Sequence, residues 1–111
     1  MSISHAAPNE VIDVRPWGAE LAGHKSCSLF KSQQIEVLRL VLPKGKVISE
    51  HKAPGEITVH CLEGRIAFTS AGKTQELTAG QMLYLTSAEP HAVEAREPSS
   101  ALVTIVLDSK T

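Results

Sequence analysis

The chain has 111 residues, 42% hydrophobic and 21% charged, with eleven Lys and Arg against twelve Asp and Glu for a formal net charge of -1. That length carries one domain, and an ordinary apolar share with almost no net charge excludes a disordered chain. The balanced, scattered charges exclude a dedicated nucleic-acid binder, and the longest apolar stretches, around Leu40 to Leu42 and Ala101 to Leu107, are too short to cross a bilayer.

The N-terminal run MSISHAAPNEVID lacks a basic n-region and an apolar h-region, so it does not read as a secretory signal. Two cysteines, Cys27 and Cys61, are too few for a disulfide framework or a structural zinc cluster. Together these features give the expectation of a cytoplasmic protein with reduced, partly buried thiols. Residues 1–24 hold two glycines, two prolines and the single Trp17, and read as an arm or an edge strand, one that a dimer can exchange. Residues 25–111 read as the folded barrel.

From there the elements read as strands. Cys27 to Lys31 pairs with Gln34 to Leu42 across Ser32-Gln33-Gln34. Glu36 and Arg39, three apart, also suit a helix, but Pro43 and the β-branched content favour a strand. Past residue 40, turn formers recur: Pro43-Lys44-Gly45, Pro54-Gly55, Glu63-Gly64, Ala71-Gly72-Lys73, Ala79-Gly80, Ala88-Glu89-Pro90 and Pro98-Ser99-Ser100. Turn glycines eight to ten residues apart leave no room for helices and mark an all-β sandwich or barrel. Ile66 and Phe68 alternate with Arg65, Ala67 and Thr69, and His91, Val93 and Ala95 with Ala92, Glu94 and Arg96. Ala101 to Leu107 is apolar on both faces, so cover is expected on both. Phe68, Met82 and Tyr84 read as core or pocket wall, and Trp17 as packing against the barrel or a partner. A chain of short strands must protect its edges, and a homodimer is the expected solution.

Two stretches carry a family likeness. GKVISEHKAPGEITVHCLEG (residues 45–64) and GQMLYLTSAEPHAVEA (residues 80–95) resemble the paired motifs of the cupin superfamily, G-x5-H-x-H-x3,4-E-x6-G and G-x5-P-x-G-x2-H-x3-N. Gly45, His51 and Gly64 stand in register with the first motif, while Ala53 and Ile57 replace its second His and its Glu. Gly80 and His91 match the second, with Thr86, Ala88 and Ala95 in place of Pro, Gly and Asn. The resemblance implies a small jelly-roll barrel (a double-stranded β-helix) and, in family members with the full set, a divalent metal held by three His and one Glu.

Carried over residue by residue, only His51 and His91 remain of that set. His91 shares parity with Val93, and His51 with Ala53, which turns both toward the lumen. Replacement ligands are hard to find. Glu56 and His60 have the wrong parity relative to Ile57, Cys61 lies about 13 Å along the strand, and His24 and His5 sit in the arm. Zinc and iron sites take three or four protein ligands, so the expected cofactor is none, or one divalent transition metal (Fe, Mn, Ni, Cu or Zn) on His51 and His91 plus water or substrate oxygens. Three functions stay open here: a barrel binding a small polar or anionic molecule at His51 and His91, a metal-dependent dioxygenase, isomerase or decarboxylase using the same pair, and a homo-oligomeric accessory protein without a small ligand.

Overall fold

The computed structural model describes residues 5–107; the first four residues of the expected arm and the last four of the expected barrel lie outside them. Among the described residues nine strands follow one another: β1 (Cys27–Lys31), β2 (Ile35–Leu42), β3 (Val47–His51), β4 (Ile57–Glu63), β5 (Arg65–Ser70), β6 (Lys73–Thr78), β7 (Met82–Leu85), β8 (His91–Ala95) and β9 (Ser99–Val106). They make two antiparallel sheets, a five-stranded one in the order β1-β2-β9-β4-β7 and a four-stranded one in the order β3-β8-β5-β6. After β2 the chain crosses between the sheets at almost every turn. This is the winding of a jelly roll, and the all-β expectation holds.

Alternation decides which side chains meet between the sheets. On β4, Ile57, Val59 and Cys61 are buried, and on β5 Ile66 and Phe68 oppose them across the gap. On β2, Leu38, Leu40 and Leu42 face this core and Val37, Arg39 and Val41 face away. Burial of Leu42, Ile57, Val59, Ile66 and Phe68 contributes about 1.5–3 kcal/mol each. Glu36 and Arg39 are therefore on opposite faces of a strand, which settles the helix-or-strand ambiguity.

Two glycines are required by close approach. A Cβ on Gly55 would run into the Val106 carbonyl where the β3–β4 loop crosses the end of β9. Gly64, at φ +85°, turns β4 into β5 directly against the Pro98 carbonyl.

The arm lies on its own barrel. The Ala6 N–H donates to the Leu29 carbonyl at 2.9 Å, along the open edge of β1. A short 3₁₀ turn, Gly18–Gly23, buries Leu21. Just before it, the Trp17 and Gly18 N–H groups both donate to the Glu63 carboxylate at 3.0 Å. No helix among the described residues is long and apolar enough to cross a membrane.

Candidate functional site at the barrel mouth

His51 ends β3 and His91 begins β8, and the two are register partners. Strict alternation would not place His51 inward, because Ile48 already faces the core three residues earlier. A bulge between Ile48 and His51 supplies the extra residue and turns the imidazole back toward the lumen. The sequence parity of His51 with Ala53 therefore leads to the right face, but the bulge is the cause.

The two rings lie 4.2 Å apart, centroid to centroid, at an interplanar angle of 61°. Each is held the same way: Nδ1 of His51 donates to the Ser49 carbonyl at 2.9 Å, and Nδ1 of His91 to the Glu89 carbonyl at 3.0 Å. A carbonyl accepts only, so Nδ1 carries the proton and Nε2 is the nitrogen left for a ligand. His91 is 5% exposed and stacks on Phe68 at 5.5 Å, whereas His51 stands at the rim in solvent.

Below the pair lies a cavity of about 480 Å³. Its walls are aliphatic and aromatic, among them Leu40, Ile57, Val59, Ile66, Phe68 and Val103. Four ionisable side chains line it: His51, His91, Lys52 and Glu36. The sequence reading missed Lys52 and Glu36. The parity of Glu36 with Leu38 and Leu40 was the available signal, and the structure shows its carboxylate accepting from Ser28 Oγ at 2.9 Å.

Ala53 and Ile57 occupy the two positions where the family motif carries ligands, and both line the cavity. None of the replacement ligands weighed from the sequence lines it. Glu56 is exposed, and His60 points out of the sheet opposite Met82. Cys61 is fully buried in the core, where burial pushes its thiol up from the ordinary value. His24 stacks flat on Trp17 at 3.7 Å, and His5 is exposed. Among the described residues no three His, Cys, Asp or Glu side chains are grouped to hold a metal ion. Two imidazoles and a wall of methyl groups do not fit the four-donor set.

The loop after β7 is tied by its backbone to Ala53, which lines the cavity. Ala88 stands in the left-handed region at φ 61°, and its N–H donates to the Ala53 carbonyl at 3.0 Å. The family motif has glycine here, and the chain keeps the glycine backbone with an alanine.

Met82 and Tyr84 correct the sequence reading. They are 56% and 67% exposed, because β7 turns Leu83 and Leu85 inward and leaves the other parity outside. The outer face of β9 is likewise only half covered at Leu102 and Thr104.

A second polar cluster lies on the outer face of the five-stranded sheet, beneath the arm. Arg39, 1% exposed, donates to the Arg15 carbonyl at 2.7 Å and to Glu63 at 3.3 Å, and its guanidinium lies 3.6 Å from the Trp17 ring centroid. Burial pushes the Glu63 carboxyl up, but donors from Ser100, Trp17 and Gly18, with Arg39, outweigh it and hold the group below its ordinary value.

Comparisons with known proteins place this geometry. A family model described as "Cupin domain" matches residues 38–107, more than half of the chain. Among solved structures, a conserved protein of unknown function from Streptococcus pyogenes is 24% identical, with 96% of this chain and 95% of that one covered and a TM-score of 0.74. A cupin superfamily protein from Desulfitobacterium hafniense is 17% identical over 93% of this chain and 100% of its own, with a TM-score of 0.76. A predicted oxalate decarboxylase from Thermotoga maritima is 26% identical over 74% and 78%, with a TM-score of 0.66. No curated protein matches the sequence.

Proposed function

The chain belongs to the cupin family, and from that membership we propose that it binds a small amphipathic acid, with an apolar body in the lumen and an anionic head at His51, His91 and Lys52. The observation that carries this reading is the division of the cavity: hydrocarbon walls below, two imidazoles and one lysine at the mouth, with the one lining carboxylate, Glu36, engaged by Ser28 Oγ at 2.9 Å. A wholly polar molecule would surrender its hydration to walls that return no hydrogen bonds, which costs several kcal/mol. A hydrocarbon body gains about 0.8 kcal/mol per buried methylene. An acidic head can pass its proton to, or share it with, an Nε2 that the Nδ1–carbonyl bonds leave free. Lys52 favours the anion.

Catalysis through a bound metal gains no support from the donor set. Ala53 and Ile57 enlarge the apolar part of the lumen instead of supplying ligands. The two free thiols, Cys27 and Cys61, favour a reducing compartment such as the cytoplasm.

The test is thermal unfolding of the protein at neutral pH with octanoate, octanol, octylamine or phenylacetate. An acid that binds stabilises by about 2.7 kcal/mol at a hundredfold excess over its Kd. The expected order is acid over alcohol over amine, with the acid's advantage lost in His51→Ala and Lys52→Ala. No shift with any of the four, or an amine as effective as the acids, overturns the proposal.

A further inference from the structure

The lumen mouth is polar on both of its walls, and the two walls differ in chemistry. Glu36 stands at the start of β2, on the register line Glu36–Ile105–Ile57 that crosses the five-stranded sheet at the mouth. His51 and His91 stand at the same end of the four-stranded sheet, with Lys52 next in the chain. Residues 43–46 carry the chain from β2 in one sheet to β3 in the other at the opposite end. Glu36, where β2 begins, therefore lies across the lumen from His51, where β3 ends. Ser28 pairs with Leu38, shares its inward face, and donates through Oγ to Oε2 of Glu36 at 2.9 Å. That bond orients the carboxylate. Among the described residues no hydrogen bond reaches its Oε1 and no cation pairs with it. Lys31, its register partner on β1, is exposed and lies outside the cavity lining.

We propose that the ligand of the lumen is an α-amino acid with a long apolar side chain, an inference that rests on the amphipathic-acid reading above and names the class of acid. The carboxylate takes the wall of His51, His91 and Lys52, the α-ammonium donates to Oε1 of Glu36, and the side chain fills the hydrocarbon depths. Charge decides between this molecule and a simple fatty acid. A fatty acid sets its head against a carboxylate of like charge, whereas an ammonium beside the same head turns that repulsion into a charge-assisted hydrogen bond. Position decides between an α-amino and an ω-amino acid. The depths are lined by Leu42, Ile66 and Ala101, so an ammonium at the far end of a chain would be buried without a partner. Size agrees. Facing sheets lie about 10 Å apart, and two hydrogen bonds of about 2.8 Å on either side of a head one carbon wide fit within that span. Three separate contacts around one carbon also make the site handed.

Isothermal titration calorimetry of the full chain at neutral pH tests this with octanoate, each enantiomer of 2-aminooctanoate, N-acetyl-2-aminooctanoate and 8-aminooctanoate. One enantiomer should bind at least about tenfold tighter than octanoate and than its mirror image. N-acetylation, which removes the ammonium and keeps the body and the carboxylate, should abolish that gain in the wild-type protein itself. The ω-amino acid should bind more weakly than octanoate. Glu36→Gln keeps an acceptor for Ser28, so it should retain octanoate affinity and lose the advantage of the amino acid. Octanoate binding with no gain for either enantiomer overturns this inference and leaves the amphipathic-acid reading standing. A gain that survives N-acetylation or Glu36→Gln, or that both enantiomers share equally, overturns it as well. No binding by octanoate or by either enantiomer overturns both.

Discussion

Glu63→Gln tests the clasp that holds the arm to the barrel. The carboxylate accepts four hydrogen bonds: from Gly18 N–H at 3.0 Å on one oxygen, and from Trp17 N–H at 3.0 Å, Ser100 Oγ at 2.7 Å and Arg39 at 3.3 Å on the other. The amide does least damage with its NH₂ facing Gly18. Even then one N–H loses its acceptor and Arg39, 1% exposed, keeps its charge without a counter-charge. The Nε of Arg39 already lacks a partner among the described residues, so no spare bond compensates. Leaving one member of a buried pair alone costs about 3–5 kcal/mol. Against a total of about 5–15 kcal/mol for a domain, that loss should lower Tm by at least about 10 °C. Urea unfolding followed in parallel by circular dichroism and by Trp17 fluorescence measures it, and Trp17, the only tryptophan, lies against Arg39 and reports the arm directly. The double variant Glu63→Leu with Arg39→Met should recover most of the loss, since an apolar pair carries no desolvation cost. A Glu63→Gln protein within about 1 kcal/mol of wild type, with unchanged fluorescence, would refute the clasp.

The same carboxylate sets an acid limit. Its folded-state value is depressed below the ordinary 4.5, so the stability it contributes is fully present above that value and lost as pH falls through the folded value. Trp17 fluorescence should therefore change on acidification below about pH 4.5, and Glu63→Gln should show a smaller acid-dependent loss. Ala88→Gly should stabilise the protein by about 0.5–1 kcal/mol in urea titrations: relief of about 1–2 kcal/mol of left-handed strain, less the added entropy of glycine in the unfolded chain. A destabilised Ala88→Gly would show that the loop carries no strain at this position.

How much of this was legible in the sequence follows from the range of each interaction. Turn glycines and prolines act within a few residues, so their spacing determined an all-β chain, and β8 reads correctly because His91, Val93 and Ala95 alternate without interruption. The motif positions at Gly45, His51, Gly64, Gly80 and His91 determined the family, and Ala53 and Ile57 already showed that the metal donors were depleted. Parity fails where a strand departs from strict alternation, and the bulge before His51 arises from its pairing with β8, which no window of sequence contains. Only the tertiary structure decided that Arg39 is buried, since its cover comes from Trp17 and its counter-charge from Glu63, distant in the chain and brought together by the arm. Only it placed Tyr84 outside and Glu36 inside, because whether an alternating strand turns a given residue toward core or solvent depends on which side the other sheet packs.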